Sequence, residues 1–276
     1  CVDLRPRVAS GAVIVSRRPE GLVLVRQVDH QDQCGLMADA WGNGDFARLD
    51  PWEPVALAAR LHDEGWRSWE EAPEVGPDGA PVDFPDVDRA THVALYRESI
   101  AGALARDRRA GLLVSMHGQG LYEGRRGLDP GEPTPRTERP PAVRAFLEEQ
   151  DRVQARLRAE LGDPGLDAWA SAAYRLLQAW DVLSLYLTWR GLAAGREAAL
   201  PQVPRRAGDP GLELRLRPAG PLACTCDPWP FFADEVALPV AARTIPARRY
   251  ASHDDLREEL AAAPWRTLQL TARPAR

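Results

Sequence analysis

The segment from Leu166 to Arg190 most constrains the fold of this chain, because it is predicted to form a helix that is apolar on nearly every face. Its central part reads YRLLQAWDVLSLYLTW. A helix that is hydrophobic all round is expected in the middle of a protein and not on its surface. We therefore expect the other helices of the chain to pack around this segment.

A single carboxylate, Asp181, interrupts the apolar central part of this helix. Burying a charged carboxylate costs several kcal/mol unless it is paired or ligates a metal. One interpretation is a buried Asp181 bonded to Arg175 or to a helix terminus. The other is metal ligation, which is favoured because histidines that could share the metal occur elsewhere in the chain.

Candidate metal ligands follow one another in a distinct order along the sequence. The chain has five histidines. Four of them, together with two aspartates, occur in the order His30, His62-Asp63, His92, His117, Asp181. Imidazole nitrogens and carboxylate oxygens suit divalent iron, manganese, zinc and nickel. In the adjacent pair, the histidine can face one metal while the neighbouring carboxylate reaches a second.

The order H…HD…H…H…D resembles the signature of the HD-domain superfamily of helical metalloenzymes in its two-metal form. The segments RQVDHQDQCGLMADAWG, LHDEGWRSWEEAP and LLVSMHGQGLY are similar to an uncharacterised, mostly bacterial family, domain of unknown function 3891. This resemblance covers roughly residues 10–190. It implies a mainly α fold with an HD-type helical core. It also implies two metal ions, one held by His30, His62, Asp63 and Asp181, and one held by the bridging Asp63 with His92 and His117.

Such a site supports more than one chemistry. We expect a metal-dependent hydrolase of the HD type acting on a phosphoester, in which two cations stabilise an in-line attack and Asp63 is the catalytic bridge. Iron or manganese is favoured, with zinc, nickel or magnesium as alternatives. A mixed-valence di-iron oxygenase and a non-catalytic metal-binding module are the alternative functions. Glu64-Gly65-Trp66 stands where cyclic-dinucleotide phosphodiesterases of the superfamily usually carry a lysine, which argues against that substrate.

Several other side chains are candidates for the surroundings of the site. Arg60, Arg67 and the arginines between residues 124 and 137 could bind phosphate oxygens, or could be solvated surface charges. Trp66, Trp69 and Tyr122 could line a pocket or belong to the core. We expect His253 to be a capping or surface residue outside the site, and residues 124–141 to form an exposed loop that could act as a lid.

The pattern along the chain predicts two parts. Residues 1–192 are expected to form the HD-like helical metal-binding domain, with an N-terminal β-hairpin in GAVIVSRRPEGLVLVRQ. Residues 193–276 are expected to form a small α/β extension, because LELRLRP, DEVALPVAARTIPARRY and WRTLQLTARP alternate like strands. The hairpin and these late strands could share one small sheet.

Composition limits the partners. A net charge of −5 and a pI near 5.7 argue against binding to nucleic acid through its phosphates. No stretch has the length and purity of a membrane span, and no targeting peptide is visible, so a cytoplasmic location and a small-molecule substrate are expected. The four cysteines show no disulfide or zinc spacing and are expected to be reduced and structural. The oligomeric state stays open.

Overall fold

The computed structural model describes residues 14–129 and 133–275, and it combines helices with one large sheet. The helices are α1 Gln27–Ala40, α2 Glu53–Ala59, α3 Trp66–Glu70, α4 Arg89–Leu104, α5 Arg108–Gly120, α6 Pro141–Leu161, α7 Leu166–Thr188 and α8 His253–Ala262. The strands are β1 Ile14–Arg18, β2 Gly21–Val25, β3 Ala198–Val203, β4 Leu212–Pro218, β5 Ala223–Asp227, β6 Val236–Ile245 and β7 Arg266–Pro274.

Helix α7 lies at the centre of the molecule, as its all-round apolar sequence predicts. Trp180, Leu183 and Leu187 are buried, and the helix packs against α1, α2, α5 and β3. The helix ends at Thr188, two residues earlier than the predicted end at Arg190. Although α7 is apolar, no helix in the described ranges has the length and hydropathy needed to cross a membrane.

The prediction of a mainly α, HD-type helical core with a small β element is wrong. Of the residues that the structure describes, 47% are helical and 20% are in strands, and the seven-stranded mixed sheet curls into a half-barrel. Its strand order is β1-β2-β6-β7-β5-β4-β3. Neighbouring strands are antiparallel except β5 and β7, which are parallel. The strands of the last third are therefore a major layer of the fold, which the helical resemblance could not predict.

The N-terminal hairpin joins the two ends of the chain in this sheet. Strand β2 is buried along its whole length and pairs with β6, with Leu22 opposite Ile245. Gly21 begins β2 with φ of 138°, and a Cβ there would lie 2.4 Å from the Ile245 carbonyl oxygen. Only glycine allows this close approach of the turn to β6. Residues 11–13 of the predicted hairpin lie outside the described ranges.

The helical spacing of Val55, Ala59 and His62 predicts a continuous helix through this segment, but the His62-Asp63 pair lies in a turn. Helix α2 ends at Ala59, and α3 begins at Trp66. Gly65 closes the turn against α4, because a Cβ at this position would lie only 2.0 Å from the Leu95 carbonyl oxygen. A residue without a side chain is therefore needed where the turn meets α4.

Candidate metal centre

Four of the predicted ligands come together from three segments of the chain. His30 projects from α1, His62 and Asp63 from the turn after α2, and Asp181 from α7, and all four are at most 3% exposed. His30 Nε2 lies 3.0 Å from Asp181 Oδ1 and 3.9 Å from Asp63 Oδ2. His62 Nε2 lies 3.5 Å from the same Asp63 oxygen. We call these residues the four-residue centre.

A chain of hydrogen bonds determines that Nδ1 of His30 carries a hydrogen. The Leu238 carbonyl accepts from the Gln33 amide nitrogen, so Gln33 Oε1 is left to accept from the Ser184 hydroxyl at 2.6 Å. Ser184 Oγ must then accept from His30 Nδ1, 2.7 Å away. Nδ1 of His30 therefore carries a hydrogen, so in the neutral form of the ring the lone pair is on Nε2, which faces Asp181.

The ring of His62 also carries a hydrogen on Nδ1. Its Nδ1 lies 3.0 Å from the Ala59 carbonyl oxygen, which can only accept, so Nδ1 carries a hydrogen and the neutral form of the ring has its lone pair on Nε2. Its Nε2 is buried and has no hydrogen-bond partner among the described atoms. A buried nitrogen lone pair without a donor costs free energy, which a cation at this position would remove.

The donor set fits a divalent ion. The three pairs His30–Asp181, His30–Asp63 and His62–Asp63 have ligand-atom separations of 3.0 to 3.9 Å. Ligand atoms about 2.1 Å from a common ion, at angles of about 90–120°, would lie about 3.0–3.6 Å apart. Nitrogen and oxygen ligands of this kind suit iron, manganese, zinc or nickel.

Asp63 is held by contacts on both its backbone and its carboxylate. Its backbone N–H donates to Gln31 Oε1 at 2.9 Å, and the Tyr96 hydroxyl donates to its Oδ1 at 3.0 Å. Burial raises the pKa of Asp63, and nearby His62 and His30 partly oppose that rise. The remaining oxygen, Oδ2, is the one that faces both histidines.

Asp181 is paired with Arg125 and not with Arg175, the partner considered from the sequence. Arg125 donates to Asp181 Oδ2 at 2.6 Å. Burial alone would raise the pKa of Asp181, but the charge of Arg125 is the largest opposing effect, and the pKa lies well below its usual range. Arg175 instead donates to the backbone carbonyls of Gln202 in β3 and of Asp209 and Pro210 in the loop that follows.

The two remaining predicted ligands lie beside the four-residue centre in different ways. One ligand atom each of His117, His62 and Asp63 lie within 4.8 Å of one another, and the Gln178 amide nitrogen lies 2.8 Å from His117 Nδ1. Burial, with a smaller effect of His62, places the pKa of His117 well below its usual value.

A hydrogen bond joins His92 Nδ1 to the Tyr122 hydroxyl, and His92 belongs to neither group of close ligand atoms among the described residues. Burial, with Arg89 nearby, lowers the pKa of His92 to about 4.

A pocket of about 210 Å³ opens onto the centre; we call it the site pocket. Its walls include Asp63, Gln27, Phe84, Pro85, Arg89, His92, Tyr96, His117, Leu121, Tyr122, Arg125, Arg139, Asp181 and Leu185. The predicted phosphate ligands Arg60 and Arg67 are not part of this lining. They pair with Asp39 and Glu64, respectively. Tyr122 lines the pocket as considered from the sequence, whereas Trp66 is buried against His92.

Sequence reasoning missed several residues of the site. Cys34 Sγ lies within 4.8 Å of ligand atoms of His30 and His62, and its four-residue spacing from His30 on one helix was the available signal. Gln178 lies three residues before Asp181, which places it on the same face of α7. Arg89 and Arg139 had no local signal, because exposed arginines occur throughout this lysine-free chain.

The other expectations concern residues outside the pocket. His253 is exposed at the start of α8, and its Nδ1 accepts from the Val75 backbone N–H at 2.9 Å, in agreement with a surface role. Cys34, Cys224 and Cys226 are buried free thiols. Cys1 lies outside the described ranges.

Comparison with known proteins gives a family without an assigned activity. No curated protein and no solved structure matches the chain. Nothing in these comparisons shows a relationship to the HD-domain superfamily. One family model, described as protein of unknown function (DUF3891), matches residues 13–247, which is most of the chain and extends beyond the helical part into β6. The chain therefore belongs to this family of proteins of unknown function.

Proposed function

We propose that this protein is a metal-dependent hydrolase of a small phosphoester, with a divalent ion held by the four-residue centre. The observation that carries this proposal is a set of close contacts between buried ligand atoms. His30 Nε2 lies 3.0 Å from Asp181 Oδ1 and 3.9 Å from Asp63 Oδ2, and His62 Nε2 lies 3.5 Å from Asp63 Oδ2. In their neutral forms both rings would direct an Nε2 lone pair toward carboxylate oxygens, an arrangement that a cation between them stabilises.

The distribution of charge in the site pocket favours an anionic substrate. The acidic residues of the lining, Asp63 and Asp181, are buried at its floor, and Asp181 is already paired with Arg125. Arg89 is exposed and Arg139 is half-buried, so these two cations lie nearer the mouth. Guanidinium groups bind phosphate oxygens with two parallel hydrogen bonds where the geometry allows. The site pocket, at about 210 Å³, is smaller than most ligand sites, which have volumes of about 300–1,000 Å³. This difference favours a small ester as the substrate.

The residues of the chain have distinct parts in this proposal. A divalent ion, when bound, polarises a phosphoryl oxygen and activates water for in-line attack. Asp63 would hold the ion through Oδ2 while Tyr96 and Gln31 keep the carboxylate and the backbone in place. Arg139, anchored by its bond to the Tyr122 carbonyl, and Arg89 would orient the phosphoryl group above the centre.

We propose that the centre holds one ion. The four-residue centre can hold one ion with the side chains as they lie. A second ion at His92 and His117, as predicted from the sequence, would also have to use Asp63 Oδ1, which accepts from Tyr96. The di-iron oxygenase alternative requires that second ion.

Elemental analysis of the purified protein, followed by assays on a panel of phosphoesters, tests the proposal. We expect a bound divalent metal and hydrolysis of small monoesters with manganese under anaerobic conditions. Turnover only with iron and oxygen would replace the hydrolase with the oxygenase. Bound metal with neither activity would make the protein a metal-binding module.

A further inference from the structure

A strained turn carries Arg125 into the site. Residues 124–127 all have positive φ angles, of 57°, 47°, 57° and 87°. Glycine adopts this left-handed conformation readily, but arginine does so rarely because its Cβ crowds the backbone. Arg125 and Arg126 occupy the two central positions, between Gly124 and Gly127. Strain of this kind persists only where surrounding contacts hold it, and such contacts often belong to functional sites.

The contacts of Arg125 determine how the neighbouring amide is oriented. Arg125 Nη1 donates to Asp181 Oδ2 and to Gln178 Oε1. A guanidinium has donors only, so the Gln178 atom that contacts it must be the oxygen. The amide nitrogen of Gln178 is then the atom 2.8 Å from His117 Nδ1.

The amide orientation in turn fixes the hydrogen of His117. An amide nitrogen donates and does not accept, so His117 Nδ1 must be the unprotonated acceptor. The ring is therefore neutral, with its hydrogen on Nε2. This is the opposite tautomer from His30 and His62, which carry their hydrogens on Nδ1.

We propose that Arg125, acting through Gln178, holds His117 with its hydrogen on Nε2, and that this N–H donates a hydrogen bond to a phosphoryl oxygen of the substrate and does not ligate metal. His117 forms part of the wall of the site pocket, and Nδ1 is committed to Gln178. A protonated ring nitrogen has no lone pair to give to an ion. To become a ligand through Nε2, His117 would need Gln178 to turn over and break its bond with Arg125.

This inference rests on the proposed function for its substrate, but the tautomer itself does not. Arg125 is a positioning residue, because it acts through Gln178, whereas His117 is a catalytic residue that would touch the substrate. The hydrogen bond would strengthen as negative charge develops on the phosphoryl oxygens, so it should contribute to kcat more than to KM.

Nitrogen-15 NMR of the histidine rings in the 276-residue chain tests the tautomer directly. Spectra are recorded without metal and with zinc, which is diamagnetic and takes the place of paramagnetic manganese. Correlations between ring nitrogens and carbon-bound protons distinguish protonated from unprotonated nitrogens. We expect the His117 signal, identified by its loss in His117→Gln and its retention in His253→Gln, to show a protonated Nε2 and an unprotonated Nδ1. A protonated Nδ1, or a doubly protonated ring, would overturn the proposal.

A pair of substitutions tests the link from Gln178 to the reaction. In Gln178→Glu, the carboxylate can accept from Arg125 and from His117, so the hydrogen should move to Nδ1. We expect kcat to fall about 100- to 1,000-fold, as when one donor to a developing oxyanion is removed, with the metal content unchanged. His117→Ala should give a similar loss in kcat and also keep its metal. A loss of metal in His117→Ala would show that His117 is a ligand and would overturn the proposal.

Two arginine variants of the same turn separate positioning from general stability. Arg125→Lys keeps one donor nitrogen near both oxygens and should retain the Nε2 tautomer and part of the activity, whereas Arg125→Gln should lose the single tautomer. Arg126→Gln is the matched control, because Arg126 donates to Gln119 and Gln154 instead. If Arg126→Gln changed the tautomer as Arg125→Gln does, the effect would belong to the turn as a whole and the role of Arg125 would be refuted. If the tautomer is found but no phosphoester is cleaved, the proposed function and the donor role fail while the tautomer stands.

Discussion

At the scale of single residues, Asp63 differs from its neighbours because its two carboxylate oxygens have different partners. Oδ1 accepts from Tyr96, and Oδ2 faces His30 and His62. We expect Asp63→Ala to lower metal affinity by more than 100-fold, since losing even a residue that supports a ligand costs about 10- to 100-fold. Metal titration monitored by calorimetry measures the change.

The variant His92→Ala is the control for Asp63→Ala. His92 lines the same pocket but bonds to Tyr122 and lies outside the close groups of ligand atoms. Its removal should leave the metal content of the four-residue centre unchanged. A variant Asp63→Ala with full metal content would refute the centre, and loss of one of two ions from His92→Ala would instead establish the predicted second site.

A second residue-scale prediction concerns Glu70, a buried acid on α3. Burial raises the pKa of Glu70 well above its usual value, although the Gln27 backbone N–H and Arg26 partly oppose this. The folded state therefore binds the Glu70 proton more tightly than the unfolded state does. The resulting stability is fully present below the unfolded pKa of about 4.3 and is lost as the pH rises through the folded pKa.

We expect Glu70→Gln, which cannot ionise, to raise the melting temperature more at pH 8 than at pH 4. The amide oxygen can still accept from the Gln27 backbone. Glu71→Gln, at the exposed neighbouring position, should change little at either pH. Thermal melts of the three proteins across this pH range measure the difference, and equal shifts at both pH values would contradict the assignment.

At the scale of secondary structure elements, the turn between α2 and α3 depends on Gly65. A Cβ at this position would lie 2.0 Å from the Leu95 carbonyl oxygen of α4. We expect Gly65→Ala to destabilise the fold by about 1–3 kcal/mol, as overpacking does, and also to weaken metal binding, because His62 and Asp63 belong to this turn. Denaturant unfolding and metal titration of the variant report the two effects.

Gly102 on α4 provides the control for that substitution. It lies inside a helix, and nothing lies within 4 Å of the position its Cβ would take. Gly102→Ala should stabilise the protein by about 0.5–1 kcal/mol through the helix propensity of alanine, with unchanged metal affinity. A stable, fully metal-binding Gly65→Ala protein would show that the turn tolerates displacement from α4.

The elements that could be predicted from the sequence are those with local signals. The sequence predicts a helix from about Asp88 to Ala105, and α4 begins after Asp88, whose carboxylate accepts from two backbone N–H groups. The end of α2 at Ala59 has no comparable local signal. The left-handed turn of Arg125 and Arg126 had no signal either, since its sequence disfavours the conformation that tertiary contacts impose.

At the scale of the whole molecule, the order of the candidate ligands carries no information about the architecture that positions them. In the fold, His30 lies next to Asp63 and Asp181, and His62 lies next to Asp63. The sheet could not be predicted, because its strand pairing joins segments more than 200 residues apart, as between Leu24 and Arg243. Alternating patterns indicate strands but carry no information about their neighbours.

The late strands also reach the candidate metal centre through a chain of hydrogen bonds. The Leu238 carbonyl of β6 orients Gln33, which accepts from Ser184, and Ser184 in turn accepts from His30 Nδ1. The tautomer of His30 thus depends on a strand beyond residue 192, where the sequence predicted a boundary between two parts. Strand β2 likewise pairs with β6 across that boundary.

We therefore expect residues 1–192 expressed alone to lack a cooperative thermal transition and tight metal binding, because β2 and α1 would lose β6 as their packing partner. Adding residues 193–276 as a second polypeptide should restore both properties if the two fragments assemble. In the full chain, Gln33→Leu should weaken metal binding while the cooperative transition is kept, since it breaks the hydrogen-bond chain but leaves the sheet. Calorimetry of the fragments and of this variant measures both quantities. A fragment 1–192 that melts cooperatively and binds metal as the full chain does would show that the sheet only covers a centre that the helices form by themselves.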